Sequence, residues 1–251
     1  MKLEFKDHFS KNSEEYKQFR PKYPEELFYY LASVSNQHQK AWDCATGTGQ
    51  SAVSLAEYFS TVIATDASET QIKNAEKKQG VSYQLATAEN SNIETSSIDL
   101  ITVAQALHWF NIDEFSTEAN RVLKNKGILS VWTYNFLSVQ KDIDEIIFYL
   151  YDTILEDYWP EERKMVEDGY RNIQLPFKEL KSPSFKMSAS WNLSQLIGYL
   201  CTWSATKNYQ KKFGVNPVEK IYDEIADIWG EPEKTLSVEW PLSVKIWQKT
   251  K

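Results

Sequence analysis

The sequence predicts an α/β protein built on a mostly parallel β-sheet with helices on both faces. Between residues 40 and 135, short apolar stretches of strand character alternate with segments of helical periodicity. Strands joined through helices in this way form right-handed βαβ units. After residue 135 longer helical segments replace the alternation, which predicts helical insertions in the C-terminal half.

The elements follow in chain order. Pro24 and the two glutamates after it predict the start of a helix ahead of the sheet. Ser68 and Gln71 predict a capping box for a helix that runs to Lys78. Five strands are predicted at 41–46, 61–66, 81–87, 98–105 and 127–135, with helices at 50–59 and 112–123 between them.

The second half is predicted to contain a helix over 139–158, a strand over 182–193, and helices over 194–211 and 217–229. Residues 235–249 read as a strand pair or as one long strand broken at Pro241. We expect one domain over 1–251, with an N-terminal arm and helix (1–39), a cofactor-binding core (40–135), helical insertions (136–181 and 194–230) and C-terminal strands (182–193 and 235–249). The insertions could form a lid over the site or a dimer contact.

Charge and composition exclude several classes of function. The net charge of −7 argues against a nucleic-acid surface. An anionic substrate would have few partners, since the arginines are Arg20, Arg121, Arg163 and Arg171. Two distant cysteines, a polar N-terminus and no long apolar stretch predict a cytoplasmic protein without a membrane span, and three scattered histidines show no metal-ligand spacing.

A glycine loop after the first strand indicates a nucleotide-containing cofactor. Gly47-Thr48-Gly49-Gln50-Ser51-Ala52 fits the G-x-G-x-x-A pattern, and Asp66 ends the next strand 19 residues after Gly47, where an acid meets a ribose diol. A dinucleotide and S-adenosylmethionine both carry that ribose.

Asp43 separates the two ligands. Beside a pyrophosphate it would add repulsion of about 1–4 kcal/mol at about 4 Å. It suits S-adenosylmethionine better, because that ligand carries an α-ammonium and a sulfonium, while the loop amides can accept its carboxylate. Asp43 could also cap the turn, and the two roles can coexist.

Four stretches resemble the successive motifs of class I S-adenosylmethionine-dependent methyltransferases, the methyltransferase type 11 domain included: AWDCATGTGQ, VIATDAS, ATAENSNIETSSIDLITVAQALHWF and ANRVLKNKGIL. QALHWF and the upstream YKQFRPKYP resemble the trans-aconitate methyltransferase-like branch. The resemblance covers residues 16–135 and implies a Rossmann-like seven-stranded sheet of order 3-2-1-4-5-7-6, with the last strand antiparallel.

The resemblance also implies a set of site residues. Cofactor-binding positions are Tyr16 and Arg20 on the arm, Asp43, Ala45, Thr46, Gly47 and Gly49 in the loop, and Asp66, Ala67, Ala88, Glu89, Gln105 and Ala106 after later strands. The expected substrate pocket comprises His108, Trp109, Tyr134 and Trp203, although Trp203 has an equally good interpretation as a core residue. Ala45 departs from the family pattern, which has glycine there, and alanine disfavours a positive φ.

The expected function is transfer of a methyl group to a small molecule by in-line displacement, by a monomer or homodimer. The acceptor suggested by the resemblance is a carboxylate, which needs no base; lipid-like and quinone-ring acceptors stay open. A hydroxyl or amine acceptor would need a base, for which His108 is the candidate, and otherwise His108 only shapes the pocket. Two alternatives are a nicotinamide-dependent oxidoreductase, which Asp43 opposes, and a non-catalytic S-adenosylmethionine-binding module, which Ala45 suggests.

Overall fold

The computed structural model describes residues 21–250, and its strands form one sheet. The strands are β1 Lys40–Cys44, β2 Thr61–Asp66, β3 Val81–Leu85, β4 Ile98–Ala104, β5 Leu123–Tyr134, β6 Lys178–Leu180, β7 Phe185–Trp191 and β8 Leu236–Gln248. The helices are α1 Glu25–Val34, α2 Gln50–Leu55, α3 Glu69–Lys73, α4 Ile112–Val122, α5 Lys141–Phe148, α6 Arg163–Glu167, α7 Leu193–Cys201, α8 Ser204–Phe213 and α9 Glu219–Trp229.

The strand order confirms the α/β prediction. The sheet runs β3-β2-β1-β4-β5-β8-β6, and β7 also pairs with β8. Strands β1 to β5 are mutually parallel, whereas β8 is antiparallel to β5. Because β6 and β7 pair with opposite ends of β8, they are two pieces of one edge position. With β8 as the seventh strand, the order is 3-2-1-4-5-7-6.

Several predicted boundaries were wrong for local reasons. The helix that Ser68 opens ends at Lys73 instead of Lys78, although Ser68 does accept a hydrogen bond from the backbone of Gln71. The predicted strand at 127 begins at Leu123, because Leu123 pairs with Ile98 of β4 and the register then shifts before Ile128 pairs with Leu100.

The C-terminal elements also differ from the prediction. The helix expected over 139–158 begins at Lys141 and changes at Tyr149 into a π-helical turn, Tyr149–Ile154. The helix expected over 194–211 is two helices that meet at Thr202 and Trp203. β8 is a single strand that continues through Pro241, which lies just outside the stretch that pairs with β5.

Apolar side chains cover both faces of the sheet in two clusters. The larger cluster packs α1, α2 and the C-terminal helices against one face, with Trp132, Trp229 and Trp240 fully buried. The smaller cluster lies on the other face around α4 and includes Trp42 and Tyr170. The central parallel strands β1, β4 and β5 are therefore buried on both sides, whereas the edge strand β3 is largely exposed. Among residues 21–250, no helix is long and apolar enough to cross a bilayer.

Candidate functional site

Apart from Trp203, the predicted site residues that the structure describes lie at or just after the carboxyl ends of the parallel strands. Asp43, near the end of β1, lies opposite Ala64 of β2 and Thr102 of β4. Parallel strands end at the same edge, so the loops after β1, β2, β4 and β5 meet there. Open α/β sheets bind ligands at this edge, where the strand order reverses. In this sheet the reversal lies between β1 and β4.

Asp43 is a buried carboxylate held between two strands and the glycine loop. Only 1% of the residue is exposed. Thr102 donates its hydroxyl to Oδ1 at 2.8 Å, and Thr46 donates to Oδ2 at 2.5 Å. The side chain thus joins β1, β4 and the loop, so Asp43 does stabilise the turn locally.

Burial raises the pKa of Asp43 to about 6. The loss of water disfavours the charged form, and nearby Asp66 adds repulsion, whereas the two threonine hydroxyls act in the opposite direction. Among residues 21–250, no positively charged group lowers the pKa of this carboxylate. A cation placed beside it would be stabilised, and an additional phosphate would not.

The glycine loop has three left-handed residues within five positions. The φ angles are +55° at Ala45, +57° at Gly47 and +89° at Gly49. Ala45 therefore adopts the conformation for which glycine is suited, at a cost on the order of 1–2 kcal/mol.

Asp66 fixes the loop from the end of β2. Its Oδ2 accepts the backbone N–H of Gly47 at 2.8 Å, and its Oδ1 accepts that of Ser68 at 2.8 Å. The Asp66 side chain therefore connects the end of β2 to the glycine loop. Ala67, next to Asp66, is half-buried.

The segment after β3 lies against the loop after β4. Ala88 and Ala106 are buried in the same apolar cluster as Cys44. The Oε1 atom of Glu89 accepts the backbone N–H of Asn111 at 3.1 Å, which holds this segment against the start of α4. The structure thus brings the segment of Ala88 and Glu89 close to Ala106.

Gln105 connects the ends of β4 and β5. Its Nε2 donates to the carbonyl of Tyr134 at 2.9 Å, and its Oε1 accepts the hydroxyl of Thr133. Its φ is +54°, so β4 leaves the sheet through a left-handed residue, as β1 does at Ala45. Tyr134, a predicted pocket residue, is buried at the end of β5.

His108 lies in a short 3-10 turn, Leu107–Trp109, directly after β4. Its Nδ1 is 2.8 Å from the hydroxyl of Tyr170, and its ring packs against Trp109 with centroids 4.7 Å apart. Burial, with a smaller contribution from Arg163, lowers its pKa to about 3. The imidazole is therefore neutral at physiological pH and a weak proton acceptor.

Two residues of this site were not predicted from the sequence. Tyr170 has φ +57°, unusual for a bulky residue, and its fully buried ring stacks on His108. Arg163, recognised only as one of few arginines, donates from Nη2 to Oδ1 of Asn135 at 2.7 Å, just beyond β5. No local sequence pattern marks either position. The one signal for Arg163 was that the sequence contains few arginines.

Trp203 lies one layer further out. Its ring packs on Tyr151 and Trp159, with centroids 5.8 and 5.6 Å apart, and those two rings flank Arg163. The helical insertions therefore reach the carboxyl end of β5 through Arg163.

The N-terminal arm enters the described part of the chain beside the glycine loop. The carbonyl of Pro21 accepts a hydrogen bond from Nε2 of Gln50, the first residue of α2, at 2.9 Å. The predicted cofactor residues Tyr16 and Arg20 lie outside the described residues.

Comparisons with known proteins place this arrangement in a family. The methyltransferase domain family matches residues 42–131. A Dictyostelium discoideum protein described as a methyltransferase is 33% identical over 98% of this chain and 96% of its own length. A Saccharomyces cerevisiae protein described as an S-adenosylmethionine-dependent methyltransferase is 24% identical, covering 86% of this chain and 85% of its own.

A solved structure shows the same architecture. A protein of Anaeromyxobacter dehalogenans, described as a type II methyltransferase, superposes with a TM-score of 0.88 at 36% identity, over 93% of this chain and all of its own. The chain therefore belongs to the methyltransferase family, and its cofactor is S-adenosylmethionine, as the sequence predicted.

The buried charge of Asp43 predicts a measurable pH dependence of stability. Its pKa is about 6 in the folded protein against an ordinary value of 3.8, so its contribution to the free energy of unfolding falls as pH rises from about 4 to about 6. The loss is on the order of 3 kcal/mol. Asp43→Asn removes this loss, so the variant should gain stability relative to wild type over that range, followed by urea unfolding.

The difference in the free energy of unfolding between Asp43→Asn and wild type isolates the contribution of Asp43. His108, with its lowered pKa, gives the opposite slope, because its stabilising contribution is lost as pH falls from about 6.5 towards 3. A stability difference between variant and wild type that stays flat from pH 4 to pH 7 would contradict the assignment.

The backbone strain at Ala45 predicts a stabilising substitution. Ala45→Gly removes the left-handed penalty but adds chain entropy to the unfolded state, for a net gain of about 0.5–1 kcal/mol in the free energy of unfolding. Ala52→Gly, in the ordinary helical backbone of α2, is the control and should lose at least about 1 kcal/mol. Equal losses in the two variants would show that Ala45 is unstrained.

Proposed function

We propose that this methyltransferase methylates a carboxylate of a small molecule, giving a methyl ester. The observation that carries the proposal is the state of His108. A buried imidazole whose pKa is lowered to about 3 is a poor proton acceptor. A carboxylic acid, which ordinarily loses its proton near pH 4, is already ionised at neutral pH and needs no base. The motifs that resemble the trans-aconitate methyltransferase-like branch support the same class of acceptor.

The residues at the strand ends suit S-adenosylmethionine. Asp43 would face its α-ammonium, the glycine-loop amides its carboxylate, and Asp66 the ribose hydroxyls. Ala67, Ala88 and Glu89 would lie beside the adenine. The cofactor supplies a methyl group on a positively charged sulfur, so the group transferred is electrophilic before the acceptor arrives.

The chain's own part in the reaction is to position the acceptor and exclude water. The neutral imidazole of His108 would shape the pocket without exchanging a proton, since Tyr170 already contacts its Nδ1. Trp109 and Tyr134 would form pocket walls. The helical insertions, which meet β5 through Arg163, would act as a lid. Alignment of two reactants can lower a barrier by up to about 7–11 kcal/mol.

A screen with labelled cofactor tests the acceptor class. We expect transfer to small organic acids and little transfer to their amides, to phenols or to amines. The product should release labelled methanol in mild alkali, which is typical of a methyl ester. His108→Gln should leave the pH–rate profile between pH 7 and 9 unchanged. Methylation of phenols or amines alone, with a profile that His108→Gln alters, would contradict the proposal.

Gly47 provides a test of the cofactor loop. A Cβ built on Gly47 would meet only Oε1 of Gln71, at 3.9 Å, so the protein itself has space for it. Gly47→Ala should therefore lower the free energy of unfolding by only about 1 kcal/mol, from the positive φ. If the methionine carboxylate lies on this loop, the affinity for S-adenosylhomocysteine should fall at least tenfold, measured by calorimetry.

Gly214→Ala is the matched control. Gly214 follows the end of α8 with φ +74°, and a Cβ added there would meet no atom within 4 Å. The two variants should lose similar stability, and only Gly47→Ala should lose ligand affinity. Unchanged affinity in Gly47→Ala would place the cofactor elsewhere.

A further inference from the structure

Arg163 is held in a fixed orientation at the first position of α6. Its Nε donates to the hydroxyl of Tyr151 at 3.0 Å, and its Nη2 donates to Oδ1 of Asn135 at 2.7 Å. The guanidinium carbon lies 4.8 Å from the ring centroid of Trp159 and 5.4 Å from that of Tyr151. Two hydrogen bonds and two aromatic rings therefore fix the plane of the guanidinium before any ligand binds.

This cation lies beside the methyl-transfer site. Asn135 directly follows Tyr134, the last residue of β5. The charge of Arg163 is close enough to His108 to contribute to the lowered pKa of that imidazole. In addition, α6 packs against the 3-10 turn that contains His108. Arg163 is thus the arginine that the described part of the chain brings to this edge of the sheet.

The other arginines are engaged elsewhere. Arg121 pairs with Glu118 at 2.7 Å on α4, and Arg171 donates to the backbone carbonyl of Asp168 at an exposed position. Arg20 lies outside the described residues.

Part of the guanidinium remains available for a ligand. Among residues 21–250, no group accepts a hydrogen bond from Nη1 of Arg163. The nearby carboxylate of Glu167 is 3.8 Å from Nε, and it accepts a hydrogen bond from the hydroxyl of Tyr151. The Arg163 side chain keeps 21% of its surface exposed.

We propose that Arg163 is the residue that binds the carboxylate of the acceptor, through Nη1, and so determines specificity for acids. The rings of Trp159 and Tyr151 and the outer ring of Trp203 would give the rest of the acceptor an apolar wall. This inference rests on the proposed function and adds to it the group that selects the substrate.

The chemistry balances without a proton transfer. A carboxylate oxygen forms a bond to the methyl carbon while the carbon–sulfur bond breaks, and the electron pair of that bond goes to sulfur. The negative charge of the acid and the positive charge of the sulfonium disappear together. A single contact from Nη1 orients the carboxylate and leaves its other lone pairs available for attack.

Arg163 could instead serve only to fasten α6 to the end of β5. The two roles differ in what they discriminate. If Arg163 only fastens α6, its loss displaces the pocket wall and weakens the binding of every acceptor alike. A residue that binds the carboxylate affects acids and spares their uncharged analogues.

The test compares Arg163→Met and Arg163→Lys with wild type, using the best acid from the labelled-cofactor screen and the primary amide of that acid as a competitor. In Arg163→Met, kcat/KM for the acid should fall about 10- to 100-fold, as for loss of a charged hydrogen bond, mainly through KM. The inhibition constant of the amide and the affinity for S-adenosylhomocysteine should stay within about twofold. Arg163→Lys should retain part of the activity, and the exposed control Arg171→Met should match wild type.

The remaining outcomes contradict the inference in distinguishable ways. Equal weakening of the acid and the amide, or lost affinity for S-adenosylhomocysteine, would show that Arg163 only fastens α6. An unchanged kcat/KM would show that the carboxylate binds elsewhere. If wild type methylates other acceptors and no acid, both the inference and the proposed acceptor are wrong, although the enzyme remains a methyltransferase.

Discussion

The site depends on a carboxylate that the fold buries in the middle of its sheet. Asp43 is 1% exposed and has two threonine hydroxyls as partners in place of water. These hydrogen bonds offset only part of the free-energy cost of removing the carboxylate from water, so the pKa of Asp43 stays raised. The buried charge of Asp43 therefore destabilises the free protein, and the proposed contact with the α-ammonium of the cofactor would remove that cost.

Two neighbouring strands, β1 and β4, are each followed by a non-glycine residue in the left-handed conformation. Both of these turns lie at the candidate site. After β1, Ala45 turns the chain into the glycine loop, where Asp66 accepts the backbone N–H of Gly47. After β4, Gln105 turns it so that its side chain bonds to Thr133 and Tyr134 of β5. Two non-glycine residues with positive φ at adjacent strand ends indicate backbone strain that the surrounding contacts maintain.

Local patterns were enough to predict the core of the sheet and the turn of the glycine loop. The first five strands alternate with helices, and Asp43, Gly47 and Asp66 lie within one βαβ unit, so short-range spacing determines their geometry. The acceptor side depends on contacts between distant parts of the chain. His108 meets Tyr170 across 62 residues, and Arg163 meets Asn135 across 28, through insertions that follow no regular pattern. Such contacts follow from the packing of the insertions, which periodicity does not encode.

Proton release on ligand binding tests the role of Asp43 most directly. S-adenosylhomocysteine carries the same α-ammonium group, and at pH 6 about half of the free protein should have Asp43 protonated. Calorimetric titrations in buffers of different ionisation enthalpy should therefore show release of about half a proton per site at pH 6 and almost none from this group at pH 8. Two results would contradict this role of Asp43. One is that wild type releases no proton at pH 6, and the other is that Asp43→Asn releases as much as wild type.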